Sequence, residues 1–187
     1  MEKTIVLAIL CAAVLMISAP IHASEKAPGK VIDLANTEIV KIGVDPVIVE
    51  AVKAENAKNK TMLQIQELDK KWMATAGVDD FMKALMDSEC GKQLQTIQKS
   101  TAYYAEIFVM DNQGANVAMT DKTSDYWQGD EAKFTESYKG GQGGIHISDV
   151  EFDDSTQVYV VKVSVPVKDG DQVIGAVTVS MDIDKIE

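Results

Sequence analysis

Tyr159-Val160-Val161-Lys162-Val163-Ser164-Val165-Pro166-Val167 sets a large apolar side chain at every second position. Successive side chains of a strand point to opposite faces, so this stretch reads as a β-strand with one fully apolar face. Lys168-Asp169-Gly170-Asp171 then supplies turn residues, and Val173, Val177, Val179, Met181 and Ile183 alternate down a second strand. Pro166 has no N–H for a ladder bond, which predicts a bulge or an open ladder there. The same period of two starts at Tyr103. Ile107 and Val109 alternate with Glu106 and Phe108, Asp111 to Gly114 turns the chain, and Val117 and Met119 complete another hairpin. Ile145 and Ile147 suggest a fifth strand just before Asp149.

Upstream the period is close to 3.6. Asp45 followed by Pro46 predicts a helix start, since the carboxylate can cap free amides and proline suits the first helical position. Met62, Ile65, Leu68 and Trp72 share one helix face, and Phe81, Met82, Leu85 and Met86 open a third helical segment that Leu94 and Ile97 extend, after a break at Gly77. Helices first and five antiparallel strands after make an α+β domain, with an irregular insertion from Asp121 to Ser148.

The chain has 187 residues, enough for one domain. Lys3, the apolar run from Ile5 to Ile17 and the small Ala23 predict a secretory signal over 1–23, cleaved near Ser24 or kept as an anchor, and so a periplasmic or secreted protein. Cys11 follows the bulky Leu10 and reads as apolar filler in that run. Residues 24–35, with Pro28 and Gly29, read as a flexible leader, and 36–187 as the domain. Beyond the signal only Cys90 is left, so no internal disulfide is expected.

Formal net charge is −11, and all 18 basic residues are lysine. Nucleic acid is excluded as a partner by that field, and bidentate anion capture by the absence of arginine. His146, the one histidine past the signal, sits in a strand-like alternation and reads as structural, which leaves no catalytic pair to build an enzyme on. Asp149, Glu151, Asp153 and Asp154 lack the ligand spacing of a calcium loop and read as a solvated turn. Lys139 to Gly144 has the glycines of a phosphate loop without its Lys-Ser/Thr ending. No metal or cofactor is expected.

The richest stretch is Thr123-Ser124-Asp125-Tyr126-Trp127-Gln128-Gly129-Asp130-Glu131-Ala132-Lys133-Phe134. Flat aromatic walls with a few polar groups suit a small polar ligand, and a Trp127 that plugs the insertion onto the sheet suits the same sequence.

Ile65-x-x-Leu68-Asp69-x-x-Trp72, Glu106-Ile107-Phe108-Val109-Met110-Asp111-Asn112-x-Gly114, Asp125 to Glu131, and Val163 to Val167 with Val173-Ile174-Gly175-Ala176 together resemble the single Cache (PAS-like, PDC) sensor domains of bacterial histidine kinases and chemoreceptors. The resemblance implies a long N-terminal helix, or helices, packed on a five-stranded antiparallel sheet, and a ligand pocket under the insertion. Carried over by position, Tyr126, Trp127 and Asp130 belong to that pocket or its lid, Phe134 and Tyr138 continue the lid, and Asp149 or Asp153 approaches from the following strand. Relatives that bind amino acids use an arginine in the insertion, which this sequence lacks. Family members continue into a membrane helix and an output domain, whereas this sequence ends at Glu187, so the resemblance implies signalling through a separate membrane-bound histidine kinase or chemoreceptor. A homodimer would form through the N-terminal helix. The rival reading is an exported structural or interaction protein that keeps the fold without a pocket.

Overall fold

The computed structural model describes residues 25–153 and 156–186, so the signal sequence expected over 1–23 lies outside the described residues. Helix begins sooner than expected. Gly29–Leu34 (α1), a π-helical turn Ala35–Ile39 and Val40–Ile42 (α2) follow one another without a break, and Val31, Ala35, Ile39 and Ile42 are buried in the main core. The stretch 24–35 is therefore not all flexible leader. Val31 and Ala35 share a helix face, but a stripe of two residues next to Pro28-Gly29 was too short to read as one.

Helix Pro46–Asn56 (α3) starts as its sequence predicts, with the Asp45 carboxylate accepting from Val47 N at 2.9 Å. Helix Met62–Ala74 (α4) opens on a capping box between Thr61 and Gln64 and turns Ile65 and Trp72 inward. The third helical segment is two helices, Asp80–Asp87 (α5) and Glu89–Gln98 (α6). Ser88 divides them, its hydroxyl accepting from Gly91 N at 2.9 Å as the N-cap of α6.

Among the described residues six antiparallel strands follow: Tyr104–Met110 (β1), Asn116–Met119 (β2), His146–Ile147 (β3), Glu151–Asp153 (β4), Val158–Asp169 (β5) and Gln172–Asp182 (β6). Their order is β2-β1-β6-β5-β3, and β4 pairs with β5 beyond β3. The sheet is thus five ranks wide with six strands, one more than the sequence suggests. The extra strand is the acidic stretch read as a solvated turn. It can pair because Lys162 of β5 meets both Glu151 (2.8 Å) and Asp153 (3.1 Å). Pro166 lies past the last β3–β5 pair, His146 with Ser164, where that ladder is open. One helix, Ala132–Tyr138 (α7), forms inside the insertion.

The sheet's two faces differ. Ile107, Val109, Val161, Val163, Val165, Val177 and Val179 pack under α1–α3 and α6, each buried side chain contributing about 1.5–3 kcal/mol. Phe108, Met110 and Ala176, on the opposite face, join Ile65, Trp72, Met82, Tyr126 and Phe134 in a second cluster. That cluster covers only part of the face. No helix of the described residues is long and apolar enough to cross a membrane.

Candidate functional site

Beyond Phe108 the second face turns polar. A register shift between Tyr104 and Glu106 breaks the alternation of β1, so that Tyr104 joins the main core while Glu106 lies against the other face. Glu106 pairs with Ser180 of β6, and Ser180 with Lys162 of β5, which sets three polar side chains in a row across three strands. Thr178 and Ser164 form the next row, their hydroxyls 2.8 Å apart.

A hollow of about 440 Å³ opens above this floor, between Glu106, Phe108 and Lys162 below and Thr123, Ser124, Gln128 and Lys133 above, with β4 along one side. It runs on into a second hollow of about 660 Å³, reaching Asp149 and His146, through the shared residues Ser124, Lys133, Glu151 and Lys162. Both volumes are in the range of small-molecule sites.

The roof is held from two sides. Asp69 of α4 accepts from Tyr126 N at 2.9 Å and Trp127 N at 3.0 Å through one carboxylate oxygen, and the Trp72 indole donates to Thr123 O at 2.8 Å. Gln128 is fully buried, donating to Asp125 O at 2.7 Å and accepting from Lys133 Nζ at 2.8 Å. Gly114, at φ +83°, passes so close to Gly129 that an added Cβ would stand 2.4 Å from its Cα.

Charge in the hollow is unevenly matched. Burial works against the Lys162 ammonium, but its hydrogen bonds to the Glu151 and Asp153 carboxylates lift its pKa above the ordinary lysine value. Lys133 is held by Gln128 and by Glu131 at 2.9 Å, and Lys122 donates to Thr75 O at 2.7 Å. Glu106 has no such match. It is 4% exposed, and its Oε1, like Ser180 Oγ, has no hydrogen-bond partner among the described residues. Burial first, and then the neighbouring Asp153, push its carboxyl up to about 7.

Of the seven residues to which the sequence points, Asp153 borders the first hollow and Asp149 the second. Tyr126 is 1% exposed and packs against Trp72 and Phe81, with ring centres 5.6 and 5.5 Å away. Trp127 is half-buried with its indole donating to Gln113 O at 2.8 Å, Phe134 stacks on Tyr138 at 5.1 Å, and Asp130 is exposed. The structure does not bring these five into the hollow's lining. The cavity is instead built on Glu106, Ser124, Gln128, Lys133 and Lys162. A signal for Glu106 was present: it is the one carboxylate in a row of β1 that continues with Phe108 and Met110. Among the described residues no group of three or more His, Cys, Asp or Glu side chains is gathered to hold a metal.

The model of the methyl-accepting chemotaxis protein-like, first PDC sensor domain matches residues 50–187. The chain belongs to this PDC sensor family. No curated protein matches it. Solved structures similar to this PDC domain include the sensor domain of the V. cholerae histidine kinase DctB, at 14% identity and TM-score 0.43 over 83% of this chain and 50% of that one. The sensory domain of the Campylobacter jejuni chemoreceptor Tlp3 with isoleucine bound is 14% identical, with TM-score 0.41 over 84% of this chain and 62% of that one. The ligand-binding domain of the Pseudomonas aeruginosa amino acid chemoreceptor PctC in complex with GABA is 14% identical, with TM-score 0.42 over 80% and 60%. This PDC chain spans half to about three-fifths of the length of these structures.

Proposed function

We propose that this PDC domain is an extracytoplasmic sensor module that binds a small polar ligand in the hollow over the Glu106–Ser180–Lys162 row, and that a membrane-bound histidine kinase or chemoreceptor reads the occupied form. The observation that carries the reading is Glu106, a lining residue of the hollow whose buried Oε1 has no partner among the described residues, with the equally unpartnered Ser180 Oγ next to it in the same row. An unpartnered buried polar group costs about 1–3 kcal/mol, a cost that a bound ligand with a matching donor would remove. Family membership supports a sensing role. Asp153 and Asp149 stay in the proposed site as wall residues, and Tyr126, Trp127, Phe134 and Tyr138 serve it by fixing the roof. Ligand binding drives a change of shape only as far as affinity differs between the two forms, so the signal requires a roof or wall that closes on the ligand.

The test is a thermal-shift screen of the purified domain against amines, carboxylates, sugars and nucleosides, repeated on Ser124→Trp, which would fill the hollow from its roof. A ligand that raises the wild-type melting temperature and leaves the variant unchanged supports the site. No response to any class, or an equal response in the variant, would overturn it.

A further inference from the structure

Resting on the reading of this hollow as a ligand site, we propose that its ligand is an organic amine cation, with Glu106 as counter-ion and the Ser180 hydroxyl as second acceptor, and that the site rejects anions. The lysines that face the hollow are all engaged: Lys162 by Glu151 and Asp153, Lys133 by Gln128 and Glu131, Lys122 by the Thr75 carbonyl. A carboxylate or phosphate would have to break one of those pairs and leave a carboxylate or carbonyl unmatched. An ammonium group breaks nothing. It meets Glu106, a buried residue of the hollow's lining whose Oε1 has no partner among the described residues, and beside it in the same row across the sheet stands the equally unpartnered Ser180 Oγ. No arginine stands in the chain to recruit an anion by a planar fork.

The groups that surround Glu106 give the proposal a pH signature. Asp153 of β4 and Asp121 after β2 favour its neutral form, while Lys162 of β5 and Lys133 of α7 favour the charged one, and burial outweighs them all. An incoming ammonium adds a further positive charge beside the carboxyl and so draws its proton off. Amine affinity should therefore rise as pH climbs from 6 to 8, a range in which an aliphatic amine stays protonated, and binding near neutrality should release a proton.

The experiment titrates the domain with ethanolamine and putrescine, and in parallel with acetate and succinate, by calorimetry in two buffers of different ionisation enthalpy and by amide chemical-shift mapping. Wild type should bind an amine with shifts on β1, β5 and β6 and a buffer-dependent heat, and Glu106→Gln should weaken it by roughly 10- to 100-fold. Ser180→Ala, a smaller change that leaves the carboxylate in place, should weaken it less. Amine binding that Glu106→Gln leaves unchanged, or binding of succinate in preference to either amine, would overturn the proposal and leave the sensor reading standing. If neither amine nor acid binds while another class in the thermal-shift screen does, the amine assignment again fails alone. Silence from every class sinks both.

Discussion

The indole nitrogen of Trp72 donates to the backbone carbonyl of Thr123 at 2.8 Å, joining the middle of the sequence to the roof of the hollow across 51 residues. Both residues are buried, so the bond cannot be replaced by water without local opening. Trp72→Phe should cost about 1–3 kcal/mol in urea unfolding, the penalty of a buried carbonyl left alone, and Trp72→Ala about 3–5 kcal/mol once the cavity is added.

Asp69 holds the same roof by its backbone. Asp69→Ala removes the acceptor of two adjacent amides, and hydrogen exchange at Tyr126 and Trp127 should accelerate well beyond that of β5 and β6. Asp69→Asn retains a carbonyl oxygen in the same place and should keep most of the protection.

Gly114 and Gly129 meet backbone to backbone, which makes a contrast with Gly140 informative. Gly140 has a positive φ of 60° but open space around it, so Gly140→Ala should cost only the backbone strain, about 1 kcal/mol. Gly114→Ala adds a collision with backbone and should cost distinctly more in the same unfolding assay.

Glu106 predicts the pH dependence of the unliganded domain. Its carboxyl is held near 7 in the fold against an ordinary 4.5, so between those values the folded chain keeps a proton that the unfolded chain has released. Stability is then fully present below pH 4.5 and is lost as pH rises through 7, by an amount on the order of 3 kcal/mol. The difference in unfolding free energy between wild type and Glu106→Gln should follow that curve from pH 4.5 to 8, and a flat difference would show that the carboxyl is ionised throughout.

Much of the architecture was legible because period and turn chemistry agree. The valines of β5 and β6, the Asp45-Pro46 start and the turn at Gly114 each point to the element that forms. β4 was hidden because three residues with two carboxylates carry no apolar alternation, and only Lys162, on the neighbouring strand, makes them compatible with a sheet. The hollow takes Ser124, Gln128 and Lys133 from the segment that the sequence singles out, but not Tyr126 or Phe134. Tyr126 and Phe134 have the large apolar surface that a pocket wall needs, and that same surface drew them into the cluster around Trp72. Glu106 was read as the polar half of an alternating strand, and only the neighbouring strands show that it is covered rather than bathed in solvent.

Two contacts link the edge of the larger hollow to the start of the described chain. Val150 N donates to Glu25 O at 2.7 Å, and Lys26 pairs with Asp149 at 2.9 Å. The bank of the larger hollow is thereby moored to the segment that leads into α1. On the sensor reading proposed above, a rim that shifts around its guest would pull on that mooring or part it, and occupancy inside the domain would become tension at its margin.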